Sequence, residues 1–279
     1  MDFASSGGVG VTGNGRVALV TGAARGIGAA TVHALAEQGW SVLAADVAAD
    51  DPALPYPMGT AEQLSRAVAD ANRSTESSDR VRPFLADVRD QAALHAAVAD
   101  AESYWGGLDA AIAAAGVIAG GVPQWEVPIT EERAVLDIDL GGVLNLARAA
   151  VPALLRRPEP RSGRFIAVAS TAATQGLPML AAYCSAKAGV AGLIRALAAE
   201  LGTAGVTANA VSPGSTATPI LDESARLYGL DRAQDFAVQQ PVQRLLDPAE
   251  IAAVVAFLAG PASSGMTGAI VPVDGGLGL

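Results

Sequence analysis

The sequence predicts an α/β fold, a doubly wound parallel sheet of about seven strands with helices on both faces. Three observations predict it. Short apolar, β-branched runs alternate along the chain with longer alanine-rich helical patterns, as repeated βαβ units require. The first such run passes through a glycine-rich turn directly into a helical pattern. And 279 residues, 51% hydrophobic and 16% charged, suffice to bury a large core in one unit.

The first strand is expected from Arg16 to Thr21, followed by Gly22-Ala23-Ala24-Arg25-Gly26-Ile27-Gly28 and a helix over Ala29 to Gln38. Strand, glycine turn and helix in that order make a Rossmann-type dinucleotide-binding arrangement: the glycines let the backbone approach a pyrophosphate, and the helix N-terminus offers unpaired N–H groups. The second strand, Ser41 to Ala45, is closed by Asp46. A carboxylate there accepts hydrogen bonds from an adenosine ribose diol and repels a 2′-phosphate, which favours NAD over NADP.

The stretch from Asp46 to the third strand, Val81 to Ala86, is longer than one helix and two turns require. The surplus, Ala48 to Thr60, carries three prolines, two acids and a tyrosine, which predicts a semi-rigid, non-helical insertion beginning where adenosine would lie. Asp87 and Val88 follow the third strand, with a helix from near Asp90 that Asp87 could alternatively cap. The remaining strands are expected at Asp109 to Ala114, Gly163 to Ser170, Val206 to Val211 and Ala269 to Val273. Ligands of such sheets bind beyond the carboxyl ends of the strands.

Tyr183 and Lys187 stand four residues apart on one helical face. A tyrosine of ordinary pKa about 10 is a poor base near neutral pH, and lowering it by about three units takes roughly 4 kcal/mol. An ammonium about 4 Å away at an effective dielectric of about 20 supplies that much, so the pair is a candidate proton donor and acceptor.

The ordered set Gly22-x-x-x-Gly26-x-Gly28, Asp87-Val88, Ser170, Tyr183-x-x-x-Lys187, Asn209 to Gly214 and Val273-Asp274-Gly275-Gly276 resembles the short-chain dehydrogenase/reductase family, from about Arg16 to Leu279. The resemblance implies that Ser170 polarises a substrate oxygen, Tyr183 transfers the proton, and Lys187 lowers the tyrosine pKa and binds the nicotinamide ribose. It implies cofactor contacts at Gly22, Arg25, Gly26, Ile27, Gly28, Asp46, Asp87, Val88, Ala114, Gly116, Pro213, Gly214, Thr216 and Thr218. In relatives a basic residue at the Arg25 position is often associated with NADP, but Asp46 would sit at the 2′ position itself.

Two departures from the family pattern stand out. Ala113-Ala114-Ala115-Gly116 replaces the usual Asn-Asn-Ala-Gly, removing amides that tie down the central strands. Asp139 replaces the asparagine that completes a catalytic tetrad, a role carried in relatives largely by the backbone carbonyl; an ionised Asp139 would alter the field around Lys187. The insertion resembles that of the mycofactocin-associated, carveol dehydrogenase-like subfamily, which implies NAD held without exchange and a redox peptide, mycofactocin, as the acceptor that reoxidises it. Assembly as a homotetramer through the alanine-rich surfaces of Leu144 to Leu155 and Ala186 to Leu201 is likewise implied.

A net charge of −10 argues against nucleic-acid and anionic-membrane partners. The lone cysteine, Cys184, excludes an internal disulfide and suits a reducing cytoplasm. No charge-free apolar segment of about 18 residues occurs, so no spanning helix is expected. Residues 1–14, rich in Gly and Ser, lack the features of a signal peptide and read as a flexible tail before a single domain over 15–279. No metal site is expected.

The loop Val117 to Ile129 with Trp125 and the segment Ser215 to Leu246 are expected to wall the pocket, and Met179 and Leu180, near the tyrosine helix, read as apolar-facing, so the substrate should be a small, largely apolar secondary alcohol or its ketone. The alternatives are a freely exchanging NAD(P)-dependent dehydrogenase or ketoreductase of acyl or polyketide chemistry, and a non-catalytic NAD-binding module.

Overall fold

Seven parallel strands run in the order β3-β2-β1-β4-β5-β6-β7. The computed structural model describes residues 15–279; the tail expected over 1–14 lies outside them. In chain order the elements are β1 (Val17–Thr21), α1 (Gly26–Glu37), β2 (Ser41–Asp46), α2 (Ala61–Ser74), β3 (Val81–Leu85), α3 (Gln91–Trp105), β4 (Ala110–Ala113), α4 (Ile129–Leu136), α5 (Gly142–Arg156), β5 (Gly163–Val168), α6 (Ala181–Leu201), β6 (Val206–Pro213), α7 (Pro219–Leu227), α8 (Pro248–Ala259) and β7 (Ile270–Val273). Every predicted strand is present, with ends shifted by a residue or two.

Successive strand residues point to opposite faces, and the core divides accordingly. Val17, Leu19, Leu43, Ala45, Ala111 and Phe165 face the layer of α3, α5 and α6. Ala18, Val20, Val42, Ala44, Ile112 and Ile166 face α1, α2 and α8. Because both faces are covered, the strands are almost continuously apolar and show no polar alternation. Pro83 lies in β3, an edge strand, where its missing N–H costs no ladder bond to a further neighbour.

Side-chain caps fix the starts of α2, α3 and α8. Thr60 and Gln63 form a reciprocal capping box at α2, with bonds of 3.1 and 3.0 Å. Asp90 caps α3 by accepting the N–H groups of Ala92 and Ala93 at 2.8 and 3.1 Å. Asp87 therefore has no capping duty. Between α4 and α5 the helix continues through a π-helical segment, Asp137–Gly141. The continuous helix Ile129–Arg156 is long and apolar enough to cross a membrane by length and composition, but half of its most apolar stretch is buried against this protein's own core.

The order of strands reverses between β1 and β4, so the loops leaving these two strands diverge and open a crevice at their carboxyl ends. Thr21 spans this point: its hydroxyl donates to the Ile112 carbonyl at 3.4 Å and accepts the Ala114 N–H at 3.3 Å. A hydroxyl thus supplies a tie that the absent amides at Ala113 and Ala114 do not.

Candidate active site

A cavity of about 610 Å³ fills the crevice. Its walls include every residue expected to contact a cofactor, from Gly22, Arg25, Gly26, Ile27 and Gly28 through Asp46, Asp87, Val88, Ala114 and Gly116 to Pro213, Gly214, Thr216 and Thr218, together with Ser170, Tyr183 and Lys187.

The glycine turn is shaped by close backbone approach. Gly22 has φ +70°, and a Cβ there would fall 2.6 Å from the Ala115 backbone. A Cβ on Gly28 would fall 2.0 Å from the Gly22 carbonyl oxygen. Only glycine fits either position, and the result is bare backbone at the start of α1, with Arg25 in the N-cap position supplying no side-chain cap. That cradle, the free N–H groups of α1 and the Asp46 carboxylate on the same wall fit a dinucleotide.

Asp46 is 9% exposed. Its Oδ2 accepts the Ala24 N–H at 2.9 Å and its Oδ1 the Ala48 N–H at 3.0 Å, so the carboxylate is fixed between the glycine turn and the insertion. Each oxygen keeps a lone pair for a further donor. Arg25 lines the cavity with its guanidinium donating to the Pro57 carbonyl of the insertion at 2.9 Å.

The insertion is non-helical and folds over the cavity, as the prolines predict. Val47, Ala49, Asp50, Asp51, Met58 and Gly59 line the wall, and a Cβ on Gly59 would stand 3.2 Å from Asp46 Oδ1. Within it, Asp50 Oδ1 accepts the Met58 N–H and Asp51 Oδ1 the Ala53 N–H, both at 2.8 Å. Leu54 and Met58, each 7% exposed, join the core beneath.

Two residues whose roles sequence reasoning misses hold this insertion down. Arg89 donates to both oxygens of Asp87, at 2.6 to 3.0 Å, and to Asp51 Oδ2 at 2.6 Å. Burial pushes the Asp87 carboxyl up, but Arg89 outweighs it and holds the group below its ordinary range. Tyr56 reaches the loop after β4, where its oxygen accepts the Ile118 N–H at 2.9 Å. Burial drives the Tyr56 pKa far up, so it remains a neutral phenol. Arg89 follows Asp87 by two residues, which hints at their contact; nothing local in the sequence signals its reach to Asp51.

Tyr183 and Lys187 share one face of α6, with Nζ 5.5 Å from the tyrosine ring centroid. Ser170, at the end of the β5 loop, accepts the Ala172 N–H at 3.1 Å and keeps its own proton to donate. Lys187 donates to the Val168 carbonyl at 3.2 Å and lies 3.1 Å from Asp139 Oδ2. The second contact is an ion pair whose direction departs from a good hydrogen bond. Asp139 is fully buried, and its Oδ1 accepts the Val117 N–H at 2.7 Å. Asp139 is not among the residues that line the cavity and sits behind Lys187, which does line it.

Burial sets the net direction at Tyr183, although Lys187 lowers its pKa, as expected of it. Burial raises the Tyr183 pKa; Lys187 pulls it down and Asp139 pushes it up, and the net direction is upward from its ordinary value. Burial likewise raises Asp139 against the opposing pull of Lys187 and the Val117 N–H. Lys187 is lowered by burial but raised by Asp139 and Tyr183 together, and ends up above its ordinary value. That upward direction leaves Tyr183 a neutral phenol near neutral pH.

The substrate end of the cavity is apolar. Ile118, Leu177, Pro178, Leu180, Ile220, Leu221, Tyr228, Leu230 and Phe236 line it, with Gln175, Ser224 and Gln239 as its polar members. Trp125 and Met179 are not on this wall. Trp125 is 84% exposed, on a short helical turn outside the crevice. Met179 points its carbonyl to the Gly121 N–H at 3.1 Å and leaves the wall to Leu180. Among the described residues no cluster of His, Cys, Asp or Glu could hold a metal ion.

A family model described as enoyl-(acyl carrier protein) reductase matches residues 22–278. The short-chain reductase protein NovJ of Streptomyces niveus is 38% identical over 269 residues, covering 93% of each chain. The cis-4-hydroxycyclohexanecarboxylate dehydrogenase of Sinomonas cyclohexanicum is 38% identical over 261 residues, covering 94% of this chain and 96% of the relative. Among solved structures, carveol dehydrogenase from Mycobacterium avium in complex with NAD superimposes with a TM-score of 0.88 at 33% identity, over 95% of this chain and 99% of that one.

Proposed function

This chain belongs to the short-chain dehydrogenase/reductase family of oxidoreductases, and we propose that it interconverts a small, largely apolar secondary alcohol and its ketone with NAD as cofactor. The observation that carries this reading is the convergence of Ser170, Tyr183 and Lys187 on one wall of a cavity whose other end is the glycine cradle and Asp46. When bound there, NAD supplies the acceptor or donor of the hydride.

The chain's own residues do the rest. Ser170 donates a hydrogen bond to the substrate oxygen. Tyr183, protonated in the resting site, gives that oxygen a proton in ketone reduction and takes it back in alcohol oxidation. Lys187, held by the Val168 carbonyl, keeps a cation beside the phenol in both directions. The apolar wall selects uncharged, hydrophobic substrates, since no arginine or lysine lies among its residues to pair with a charged one.

The engagement of Arg25 by Pro57, and of Asp46 by backbone on two sides, supports NAD over NADP. The packing of Leu54, Tyr56 and Met58, with the Arg89 bridge, supports an insertion that retains NAD between turnovers and leaves its reoxidation to a redox partner such as mycofactocin. The family model's printed description and the NovJ likeness favour a second reading, a freely exchanging ketoreductase of acyl or polyketide chemistry. A homotetramer built through α5 and α6 fits the exposed Leu144 and the small exposed residues Ala188, Gly192 and Ala199. The net charge and the single cysteine support a cytoplasmic enzyme without nucleic-acid or membrane partners.

One experiment tests the proposal. The small molecules released on denaturing the purified protein are identified by mass, and alicyclic secondary alcohols are then offered with added NAD or with an artificial electron acceptor. Release of NAD and turnover with the acceptor support the retained-cofactor reading. An empty protein that saturates with free NAD supports the second, and no turnover with any alcohol or ketone under either regime overturns both.

A further inference from the structure

The two oxygens of Asp139 do separate things in a site that no solvent reaches. Oδ1 fixes the Val117 N–H at 2.7 Å, and Oδ2 faces Lys187 Nζ at 3.1 Å with no other partner. Gly116 backs the pair: a Cβ there would lie 3.4 Å from both Oδ2 and Nζ. An amide oxygen would satisfy the Val117 N–H as well as a carboxylate does. The charge of Asp139 therefore has its effect on Lys187.

We propose that Asp139 is a positioning residue: its buried carboxylate, 3.1 Å from Lys187 Nζ, partly neutralises the ammonium that serves Tyr183 and so tunes the proton transfer of that phenol. This rests on the reading of Tyr183 as the proton-transfer group. The groups that face the pair are few. Lys187, Tyr183 and the Cys184 thiol come from α6. From the insertion comes Tyr56, which feels Asp139 and, more weakly, Glu223 and Arg25, and which remains a neutral phenol hydrogen-bonded to Ile118. Lys187 is thus the cation that Asp139 compensates, and Tyr183 is the titrating group that registers the compensation.

The sign follows directly. An ammonium beside a phenol favours phenolate, and a carboxylate beside the ammonium disfavours it. Removing the carboxylate charge lets Tyr183 ionise at lower pH, so alcohol oxidation, which needs the tyrosine as base, begins at lower pH. The three groups titrate as a coupled set, and the measurable quantity is the apparent midpoint.

The test is Asp139→Asn, which keeps an acceptor for the Val117 N–H and removes the charge. In the protein as purified, tyrosinate ultraviolet absorbance is titrated as the difference between the chain and its Tyr183→Phe variant, once with Asp139 in place and once with Asp139→Asn in both members of the pair. The expected midpoint falls by about one pH unit or more in Asp139→Asn. The acidic limb of the kcat/KM profile for alcohol oxidation should move with it, giving about a tenfold gain on that limb. A uniform loss of kcat with an unmoved titration is what a merely structural role gives, and it overturns the proposal. Infrared spectroscopy of the unaltered protein gives an independent check: a buried protonated-carboxyl stretch persisting at neutral pH, and lost only in Asp139→Asn, overturns it too. If Tyr183→Phe retains full turnover while the titration still shifts, the proton-transfer reading fails and the charge compensation stands.

Discussion

The hydroxyl oxygen of Tyr56 accepts the backbone N–H of Ile118 at 2.9 Å, joining the insertion after β2 to the loop after β4. The insertion lines the cavity at the Asp46 end, while Ile118 lines it at the apolar end. The two ends of the site are therefore mechanically linked through one phenol. Tyr56→Phe leaves the Ile118 N–H without its partner at a cost of about 1–3 kcal/mol. The expected result is faster NAD exchange together with a raised KM for the alcohol, checked by release of labelled NAD and by steady-state kinetics.

Loss of the Tyr183 hydroxyl should abolish turnover and leave NAD binding intact, since the ring still packs against the core. Tyr183→Phe should therefore retain cofactor by mass spectrometry with kcat below a few per cent of the parent, a loss equal to at least about 2 kcal/mol of barrier. A larger residual rate would remove Tyr183 from the reaction.

Asp46→Ser removes the negative charge at the ribose but keeps a short polar side chain. The preference for NAD over NADP should shrink by about 2–4 kcal/mol, given roughly 1.5–3 kcal/mol for each charged hydrogen bond. Competition binding of the two cofactors measures this. Arg25→Ala should change the preference far less, because Arg25 is engaged by Pro57.

Opening the insertion exposes Leu54 and Met58, each worth about 1.5–3 kcal/mol on burial. If the insertion must open for the cofactor to leave, the two together should slow escape by roughly a hundredfold to ten-thousandfold, at about 1.4 kcal/mol per factor of ten. Replacing Asp50 to Met58 with a short Gly-Ser turn should bring exchange of labelled NAD into the range of seconds and give conventional activity with added NAD.

Trp125→Ala should leave KM within about twofold and barely move the melting temperature, as expected for an exposed side chain away from the cavity. Leu180→Ala, on the wall itself, should raise KM clearly.

How far the sequence is legible follows the range of the interactions involved. The strands and the glycine turn are readable because strand burial and close backbone approach leave local traces, as at Val17 to Val20 and at Gly22 and Gly28. Tyr183 and Lys187 are readable because four residues of helix bring them together. Arg89 is not, because its partner Asp51 lies 38 positions earlier and meets it only after folding. Trp125 is misplaced for the converse reason: an apolar loop residue looks alike in sequence whether it faces a cavity or solvent. The direction of the Tyr183 shift also escapes a reading of the sequence, since a lysine four residues away is visible there whereas burial and a buried carboxylate behind it are not.

The π-helical segment Asp137–Gly141 sets a limit on chain length at this point of the fold. A helix that closes its hydrogen bonds one residue late accommodates one extra residue, and converting it to regular α-helix turns everything on one side by about 100° relative to the other. Asp139 sits inside that wider turn, so deleting a single residue there would swing its carboxylate away from both Val117 and Lys187 while leaving α4 and α5 free to stay helical. The carboxylate beside Lys187 is thus placed by the residue count of this segment as well as by the identity of Asp139.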